Sequence, residues 1–508
     1  MRHSPLRLTA ASFALLAAVA AAPGVVVAQC TYTLPVSTFA GGANESVLAM
    51  AARNDGSIVV GGRFTNIGGV ACNHIARWDG STFTALGAGT DGEVSTMLSL
   101  PNGDLILGGN FFNAGGVAAT HIARWDGSAF SPIGSGIDPL VPFGSGLQAI
   151  VALPNGDLVV AGTFQKIGGV TMNNIARWDG STWNAMGTGI NGPVRGLTVT
   201  LAGDVIATGS FTQAGGGVAA NIARWNGTTW SALGTGLGVF GGTTVATMPN
   251  GDVVVGGSFV TAGGLPANRI ARWNGTSWSA LGTGTGGVVA ALLPMPSGDL
   301  LVGGLFTTAG GASSNRIARW NGTTWSTFGT GFDAGVQELL LAPNGSVVAA
   351  GDFAIANGAA ASRLAAIGSS CAPTVVDLGG GCTGSGGPNV LTATELPLVG
   401  GEFRSLATGM PSSGAIVLAI GFTLTSTPLN SILPYALPGC TGTHTAEIQV
   451  FLPAAPSGQF EAGFPITNTP TLVGAWFAIQ VAPIELDVNF DPITLTSTNG
   501  LQVTVGTF

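Results

Sequence analysis

Charged residues are scarce in this sequence. Asp, Glu, Lys and Arg make up 8% of its 508 residues, and 24 acidic residues outnumber 16 basic ones, which gives a formal net charge of -8. The basic residues form no cluster. Because nucleic-acid phosphates are bound mainly by Lys and Arg, this composition argues against a nucleic-acid partner and disfavours an acidic substrate.

Signatures of catalysis and metal binding are also missing. The sequence has no Gly-x-Ser-x-Gly elbow, no phosphate-binding loop and no Cys-x-x-Cys pair. His74 and His121 occupy equivalent places in two repeats, which favours a repeat role over metal ligation. We therefore predict no cofactor, no metal and no catalytic residues, and leave open whether the protein is an enzyme.

Glycine is abundant, with 83 residues, and the motif IARW recurs through the chain. Successive copies are 47 or 48 residues apart except for one step of 53, and a phenylalanine lies eleven residues before each copy. The copies begin at Ile75, Ile122, Ile175, Ile222, Ile270 and Ile317, with a diverged seventh at Leu364, and the phenylalanines are Phe64, Phe111, Phe164, Phe211, Phe259, Phe306 and Phe353.

Each repeat contains four strand-like segments, which in the second copy are EVSTMLSL, DLILGGNF, HIARW and TFTALG. Asn102-Gly103 and Asp126-Gly127 are two-residue hairpin signals, because these pairs tolerate the positive φ of a primed turn. Four antiparallel strands in about 45 residues are typical of a propeller blade. The sequence predicts an all-β protein with a seven-bladed β-propeller over residues 29–368.

The N-terminal segment supplies a strand that the last repeat lacks. The outermost strand follows only six of the seven copies, whereas residues 34–50 align without a gap with residues 81–97. We therefore expect residues 34–42 to form the outermost strand of the last blade and to close the ring.

Two recurring residue types have a structural interpretation. The Trp of IARW and the aromatic residue five positions later are expected to pack neighbouring blades together, with a ligand-binding aromatic ring as the alternative. The Arg of IARW is expected to pair with an Asp in the first hairpin turn, since a partly buried Arg needs an acceptor. These residues are Arg77, Arg124, Arg177, Arg224, Arg272 and Arg319, and Asp104, Asp157, Asp204, Asp252 and Asp299.

The pattern GGxFxxAGGxxxNxIARWxGxxWxxLGxG resembles the delta-60 and Kelch-like propeller repeats of large secreted bacterial proteins. It is also similar to the propeller of fungal cortical cell-polarity marker proteins. The resemblance covers residues 32 to about 368 and implies the fold. It transfers no activity, because these families share no catalytic motif and a fold alone does not define a function.

The first 28 residues are typical of a secretory signal peptide. A basic start is followed by an apolar stretch over residues 8–22 and by small residues at 26–28. Pro23-Gly24 interrupts the apolar run before the ~20 residues of a spanning helix, which argues against a membrane anchor. Lipidation at Cys30 is disfavoured because Gln29 precedes it. We expect a secreted or cell-surface protein without a later transmembrane segment.

The composition changes after the propeller. Residues 369–389 are a Gly- and Ser-rich joint, and residues 390–508 contain short apolar runs separated by turn residues. We predict a smaller β-sandwich-like domain there. Its opening, GCTGSGGPN at residues 381–389, resembles the C-terminal domains of secreted bacterial repeat proteins.

Five cysteines remain after signal cleavage, so an exported protein would leave one unpaired. We expect Cys382 to pair with Cys440 and Cys30 with Cys371. Cys72 is then free.

Loop lengths indicate where a partner binds. We call the side with the tight turns the hairpin face, and the side with the connections after the marker Phe and between blades the long-loop face. One connection is six residues longer, within residues 137–146, and places Leu140, Val141 and Phe143 on the long-loop face. The hypothesis is that these residues contact an extracellular protein or glycan, and the alternative is that they fold back onto their own blade or meet the second domain.

A propeller hydrolase or lyase acting on an extracellular polymer is the alternative function. Such enzymes place acids and bases around the central channel. The charged candidates there are Glu45, Glu93, Arg195 and Glu338.

Overall fold

The computed structural model describes residues 31–39, 41–53, 55–138, 146–295, 297–342 and 346–370, and a set of further strands within residues 374–504. These residues form strands, turns and bends but no helix, which confirms the all-β prediction. Accordingly, this part of the chain contains no helix of the length and hydropathy needed to cross a membrane.

Tyr32–Gly368 forms one unit that contains seven four-stranded antiparallel sheets. The innermost strand of each sheet contacts that of the next, and the last contacts the first, so the ring is closed. The seven-bladed propeller is thereby confirmed. From the innermost to the outermost strand, the blades are Val47–Ala52, Ile58–Gly62, Ile75–Trp78 and Phe83–Ala85 (blade 1); Glu93–Ser99, Leu105–Asn110, Ile122–Trp125 and Phe130–Pro132 (blade 2); Gly146–Ala152, Leu158–Thr163, Ile175–Trp178 and Trp183–Ala185 (blade 3); Val194–Val199, Val205–Gly209, Ile222–Trp225 and Trp230–Ala232 (blade 4); Gly242–Thr247, Val253–Gly257, Ile270–Trp273 and Trp278–Ala280 (blade 5); Val289–Pro294, Leu300–Gly304, Ile317–Trp320 and Trp325–Thr327 (blade 6); and Val336–Leu341, Val347–Gly351, Leu364–Ser370 and Thr31–Thr38 (blade 7).

The N-terminal strand closes the ring. Thr31–Thr38 is the neighbour of Leu364–Ser370 in the sheet of blade 7, which confirms the predicted closure. The strand ends earlier than the predicted residues 34–42. Phe39 follows it and packs against blade 1, with its ring centroid 5.0 Å from that of Trp78.

Aromatic pairs pack each blade against the preceding one, which confirms their structural interpretation. In blades 1–6 the two ring centroids of a pair are 4.6 to 5.4 Å apart. The indole N–H of Trp230 donates a 2.8 Å hydrogen bond to the backbone carbonyl of Met186 in the blade before it. Equivalent hydrogen bonds run from the indole N–H of Trp278 to the carbonyl of Leu233 and from that of Trp325 to the carbonyl of Leu281.

The predicted ion pairs are present on the hairpin face. In each pair an Asp in or directly after the first turn forms an ion pair with the Arg of IARW, and Arg77 and Arg224 also donate hydrogen bonds to it. The shortest N–O distances are 2.7 Å for Arg124–Asp104, 3.5 Å for Arg177–Asp157, 2.5 Å for Arg224–Asp204, 3.5 Å for Arg272–Asp252 and 2.7 Å for Arg319–Asp299, and a sixth pair, Arg77–Asp55, is at 3.1 Å.

The long-loop face carries a short two-stranded ribbon in every blade. The ribbon follows the marker Phe, and in blade 2 it bridges the preceding connection through Thr90 and Ala114. The ribbons pair Asn66–Ile67 with Val70–Ala71, Asn113–Ala114 with Val117–Ala118, Lys166–Ile167 with Val170–Thr171, Gln213–Ala214 with Gly217–Val218, Thr261–Ala262 with Leu265–Pro266, Thr308–Ala309 with Ala312–Ser313, and Ile355–Ala356 with Ala359–Ala360.

The second unit, from Ser369 onwards, is also all-β where it is described. Its domain boundaries and sandwich-like packing stay predictions. One sheet has the order Thr374–Gly379, Gly500–Thr504, Trp476–Leu486, Ala415–Gly421 and Ile448–Pro453, and Pro492–Leu495 also pairs with Trp476–Leu486. A second sheet has the order Val390–Glu395, Glu402–Thr408 and Gln459–Pro465. Two strand pairs join Leu424–Pro428 to Thr441–His444 and Thr383–Gly384 to Gly387–Pro388.

Candidate binding face and channel mouth

Large apolar side chains are exposed almost exclusively on the long-loop face. Within the described part of the propeller, Leu201 is the one exposed large apolar residue on the hairpin face. Single exposed apolar residues are common, but a one-sided set indicates an interaction surface. The set on the long-loop face comprises Phe112, Val117, Val170, Val218, Val239, Phe240, Val260, Leu265, Leu305 and Ile355.

Val239 and Phe240 lie in the connection between blades 4 and 5 and are 68% and 75% exposed. Phe240 has a φ of 74°, in the left-handed region that is unfavourable for a bulky residue. The N–H of Gly238 donates to the carbonyl of Thr261 at 2.8 Å, which holds this connection beside Val260. We call Val239, Phe240, Val260 and Leu265 the apolar patch.

Sequence reasoning missed this patch, although a signal for it exists. The interval from Trp225 to Phe259 is 34 residues, whereas four other Trp-to-Phe intervals are 33. The extra residue falls in the connection that contains Val239 and Phe240. As a sequence signal for a binding site, this one-residue insertion is weaker than the six-residue insertion within residues 137–146.

An ionic cluster lies where the inner strands of blades 1, 2 and 7 reach the long-loop face. Arg63 donates from Nε to Oε2 of Glu93 at 2.7 Å. This hydrogen bond, together with the charges of Glu93, Asp352 and Glu45, raises the pKa of Arg63. One guanidinium thus faces three carboxylates.

Asp352 is held from both sides in the same cluster. Its carboxylate accepts from the hydroxyl of Ser46 at 2.5 Å and from the side-chain amide of Gln337 at 2.9 Å. These bonds join blade 7 to blade 1 across the closure of the ring. We call Arg63, Glu93, Asp352, Ser46 and Gln337 the channel mouth.

The structure brings together two of the four charged residues proposed from the sequence. Glu45 and Glu93 both act on Arg63, whereas Arg195 is exposed on the inner strand of blade 4 and Glu338 lies on that of blade 7. Arg63 and Asp352 were missed. Both directly precede the marker Phe, a position that is otherwise Asn110, Thr163, Ser210, Ser258 and Leu305.

Glu338 occupies a position that carries a small residue, Gly, Ala or Thr, in the other six blades. It lies opposite Ala350, which packs with Val47 and Met50 of blade 1, so its half-buried carboxyl lies at the contact between blades 7 and 1. Burial raises the pKa of Glu338 to about 8. The equivalent residues, each after the same β-bulge, are Ala49, Thr96, Ala149, Gly196, Thr244 and Ala291.

Several predicted residues lie outside the described part of the chain. These are Leu140, Val141 and Phe143 of the long connection, and the four cysteines Cys30, Cys371, Cys382 and Cys440. Cys72 is buried and free, as expected, and burial raises the pKa of its thiol.

The two repeat histidines, His74 and His121, lie in separate blades. Within the described ranges, no group of three or more His, Cys, Asp and Glu side chains is placed to hold a metal ion. His121 is fully buried, its Nδ1 lies 3.1 Å from the carbonyl oxygen of Gly109, and burial lowers its pKa. This neutral imidazole donates to the backbone of its own blade.

Comparison with known proteins supports the fold. Four segments, residues 53–78, 153–178, 249–275 and 296–322, match the family described as a domain of unknown function (DUF5122) beta-propeller. No curated protein matches the sequence. The finer resemblance to delta-60 and Kelch-like repeats stays a prediction.

Solved structures similar to this chain include one described as YCF48 bound to D1 peptide, with 15% identity, a TM-score of 0.43, and coverage of 68% of this chain and 97% of that chain. The WD40 beta propeller domain of Doa1 has 12% identity, a TM-score of 0.42, and coverage of 67% and 97%. The extracellular domain of the hybrid two component system BT4673 from B. thetaiotaomicron has 10% identity, a TM-score of 0.39, and coverage of 90% and 56%. At these values the likeness assigns no function.

Proposed function

We propose that the protein is a secreted or cell-surface binding module that receives a protein or glycan on the long-loop face of its propeller. The observation that carries the proposal is the concentration of exposed large apolar side chains on that face. Aliphatic and Phe side chains of this kind bury surface in protein interfaces, so a protein partner is favoured over a glycan. The extracellular location rests on the signal peptide predicted for residues 1–28.

The strained Phe240 supports the same surface. A left-handed backbone costs about 1–2 kcal/mol for a residue other than Gly, Asn or Asp, and an exposed ring recovers little of this through packing. Strain of this kind persists where it positions a side chain for contact. The apolar patch is therefore the proposed centre of the binding face.

The test is capture of partners from the native envelope and medium by immobilised protein. We expect the double variant Val239→Ser/Phe240→Ser to lose the captured partner and to melt like the wild type. The matched control is Leu201→Ser, which removes the exposed apolar residue of the hairpin face and should capture normally. Equal capture by all three proteins would contradict the proposed face.

The long connection is tested in the same way. Replacing Leu140 and Phe143 with Ser is expected to reduce capture without changing the melting temperature. A lowered melting temperature would instead assign these residues to internal packing.

A propeller hydrolase or lyase acting on an extracellular polymer is the second candidate, and Glu338 is the residue that favours it. A carboxyl whose pKa is raised to about 8 stays protonated at neutral pH and is suited to general acid catalysis. The variant with Glu45, Glu93 and Glu338 all replaced by Gln distinguishes the two functions. Wild-type cleavage of extracellular glycans that disappears in this variant would establish the enzyme and overturn the preference for binding.

A further inference from the structure

A groove of about 240 Å³ lies between blades 1 and 2. Arg53, Asp55 and Arg77 of blade 1 form its polar side, and Trp125 of blade 2 forms an apolar wall. Residues 84–87 and Gly127 complete the lining. The volume is below the about 300–1,000 Å³ typical of drug-sized ligand pockets, so the groove fits a smaller group.

Arg53 distinguishes this groove from the equivalent places in the ring. The N–H of Gly56 donates to the carbonyl of Arg53 as that of Gly103 donates to Leu100, so Arg53 and Leu100 occupy the same turn position. No other blade has a charged residue there. The equivalents are Leu100, Leu153, Thr200, Met248, Met295 and Ala342.

The Arg53 guanidinium is incompletely satisfied within the protein. Its side chain is 14% exposed, and its buried Nε has no hydrogen-bond partner. The nearest carboxylate oxygen, Oδ2 of Asp55, is 3.9 Å away, which is beyond hydrogen-bond distance. Since no carboxylate lies within hydrogen-bond distance, an anion in the groove could accept from the terminal N–H groups of this guanidinium.

Asp55 is already engaged by other groups. Its Oδ1 accepts from the N–H and hydroxyl of Ser57, and its Oδ2 accepts from Nη2 of Arg77 at 3.1 Å. Asp126, which lies between the lining residues Trp125 and Gly127 in the sequence, accepts from the N–H groups of its own turn. Two guanidinium groups therefore share one carboxylate, whereas each of the other five ion pairs consists of one guanidinium and one carboxylate.

We propose that this groove binds the carboxylate of a small ligand between Arg53 and Arg77, with the rest of the ligand against Trp125. The planar guanidinium matches the two oxygens of a carboxylate. The site is on the opposite side of the propeller from the proposed binding face and does not depend on it. Although the net charge of -8 disfavours acidic ligands in general, the groove itself carries a local excess of positive charge.

Isothermal titration with D-glucuronate, and with glucose as its uncharged counterpart, tests the site on the full chain. We expect the wild type to bind glucuronate with millimolar affinity, to bind more weakly as salt is raised, and not to bind glucose. The variant Arg53→Leu should weaken glucuronate binding by about tenfold or more, since a charge-assisted hydrogen bond is lost. Leu stands at this position in blades 2 and 3, so the variant should fold, and melting checks this.

The control variant is Arg195→Leu, which removes the same charge from an exposed site on the inner strand of blade 4 and should leave glucuronate binding unchanged. Glucuronate binding that is absent in the wild type, or equal in Arg53→Leu, would overturn the proposal. Equal binding of glucose would do the same. Sulfate that binds more tightly than glucuronate would overturn the carboxylate assignment.

Discussion

The hairpin face and the long-loop face are built from the same seven repeats, yet their side chains differ in kind. On the hairpin face one Arg–Asp pair recurs from blade to blade, whereas on the long-loop face the ionic cluster of Arg63, Glu93 and Asp352 occurs once. Among the described residues of the propeller, all the exposed large apolar side chains except Leu201 lie on the long-loop face. Repetition thus identifies residues that build the ring, and departures from repetition identify candidate sites.

The distinction also applies within the hairpin face. Six of its blades carry the recurring pair, but blade 1 adds Arg53 and has a more exposed acceptor, Asp55. The charge balance of the pair is lost there, and the one groove proposed for an anion lies beside it. The candidate site thus coincides with two departures from the repeat, Arg53 and Asp55.

The largest expected effect comes from opening the ring that holds both faces. Starting the chain after Ala43 removes the strand Thr31–Thr38 and Phe39 and exposes the edge of Leu364–Ser370. Phe39 is partly buried against the core cluster of blades 1 and 7, so its loss adds up to about 3 kcal/mol to the cost of the unpaired edge. We expect a sharply lowered melting temperature by circular dichroism. A chain that begins at Cys30 is the control, and a deletion that melts like this control would rule out the closure.

The two kinds of ion pair should differ in their contribution to stability. Asp299→Ala removes the carboxylate that pairs with Arg319 at 2.7 Å, where both side chains are largely buried, and should lower the free energy of unfolding by about 3 kcal/mol. Glu93→Ala breaks an equally short pair with Arg63 that is open to solvent, and should cost less than about 1 kcal/mol. Urea unfolding of both variants measures the difference, and equal losses would remove the contrast between the faces.

A pH-dependent effect is expected from Glu338. Its pKa is raised from 4.5 to about 8 in the folded protein, so the folded state holds the proton more tightly and loses stability as the pH rises through this window. The slope is at most about 1.4 kcal/mol per pH unit, because the unfolded state releases one proton that the folded state retains. The Glu338→Gln variant has no titrating group at this position, so its stability relative to the wild type should increase as the pH rises.

Urea unfolding at about pH 5, 7 and 9 follows this difference, with Glu93→Gln as the control. The advantage of the Gln variant should be near zero at the lowest pH and level off above about pH 8. A constant difference across the range would show that Glu338 is charged throughout.

The fold could be predicted from the sequence because its determinants are local and repeated. Turn pairs such as Asn102-Gly103 and the period of IARW specify each blade, and the count of strands specifies the closure. The site could be predicted only in part, since its contacts join distant residues. Ser46 meets Asp352 only in the closed ring, and the β-bulge between Val336 and Glu338 breaks the alternation that would place Glu338.

The smallest expected effect concerns Phe240, and its sign is informative. Asn tolerates the left-handed backbone that Phe240 adopts, so Phe240→Asn should raise the free energy of unfolding by about 1 kcal/mol. Because the ring is 75% exposed, little packing is lost. The same variant should lose partner capture if the apolar patch is the binding face.

A substitution that stabilises the protein and abolishes binding would separate the two roles at a single residue. The control is Val239→Asn, whose backbone has no positive φ to relieve, so it should weaken capture without a gain in stability. Unfolding in urea and capture are measured on both variants. A lower stability of Phe240→Asn would show that the ring packs within the propeller, and the long-loop face would then lose its proposed centre.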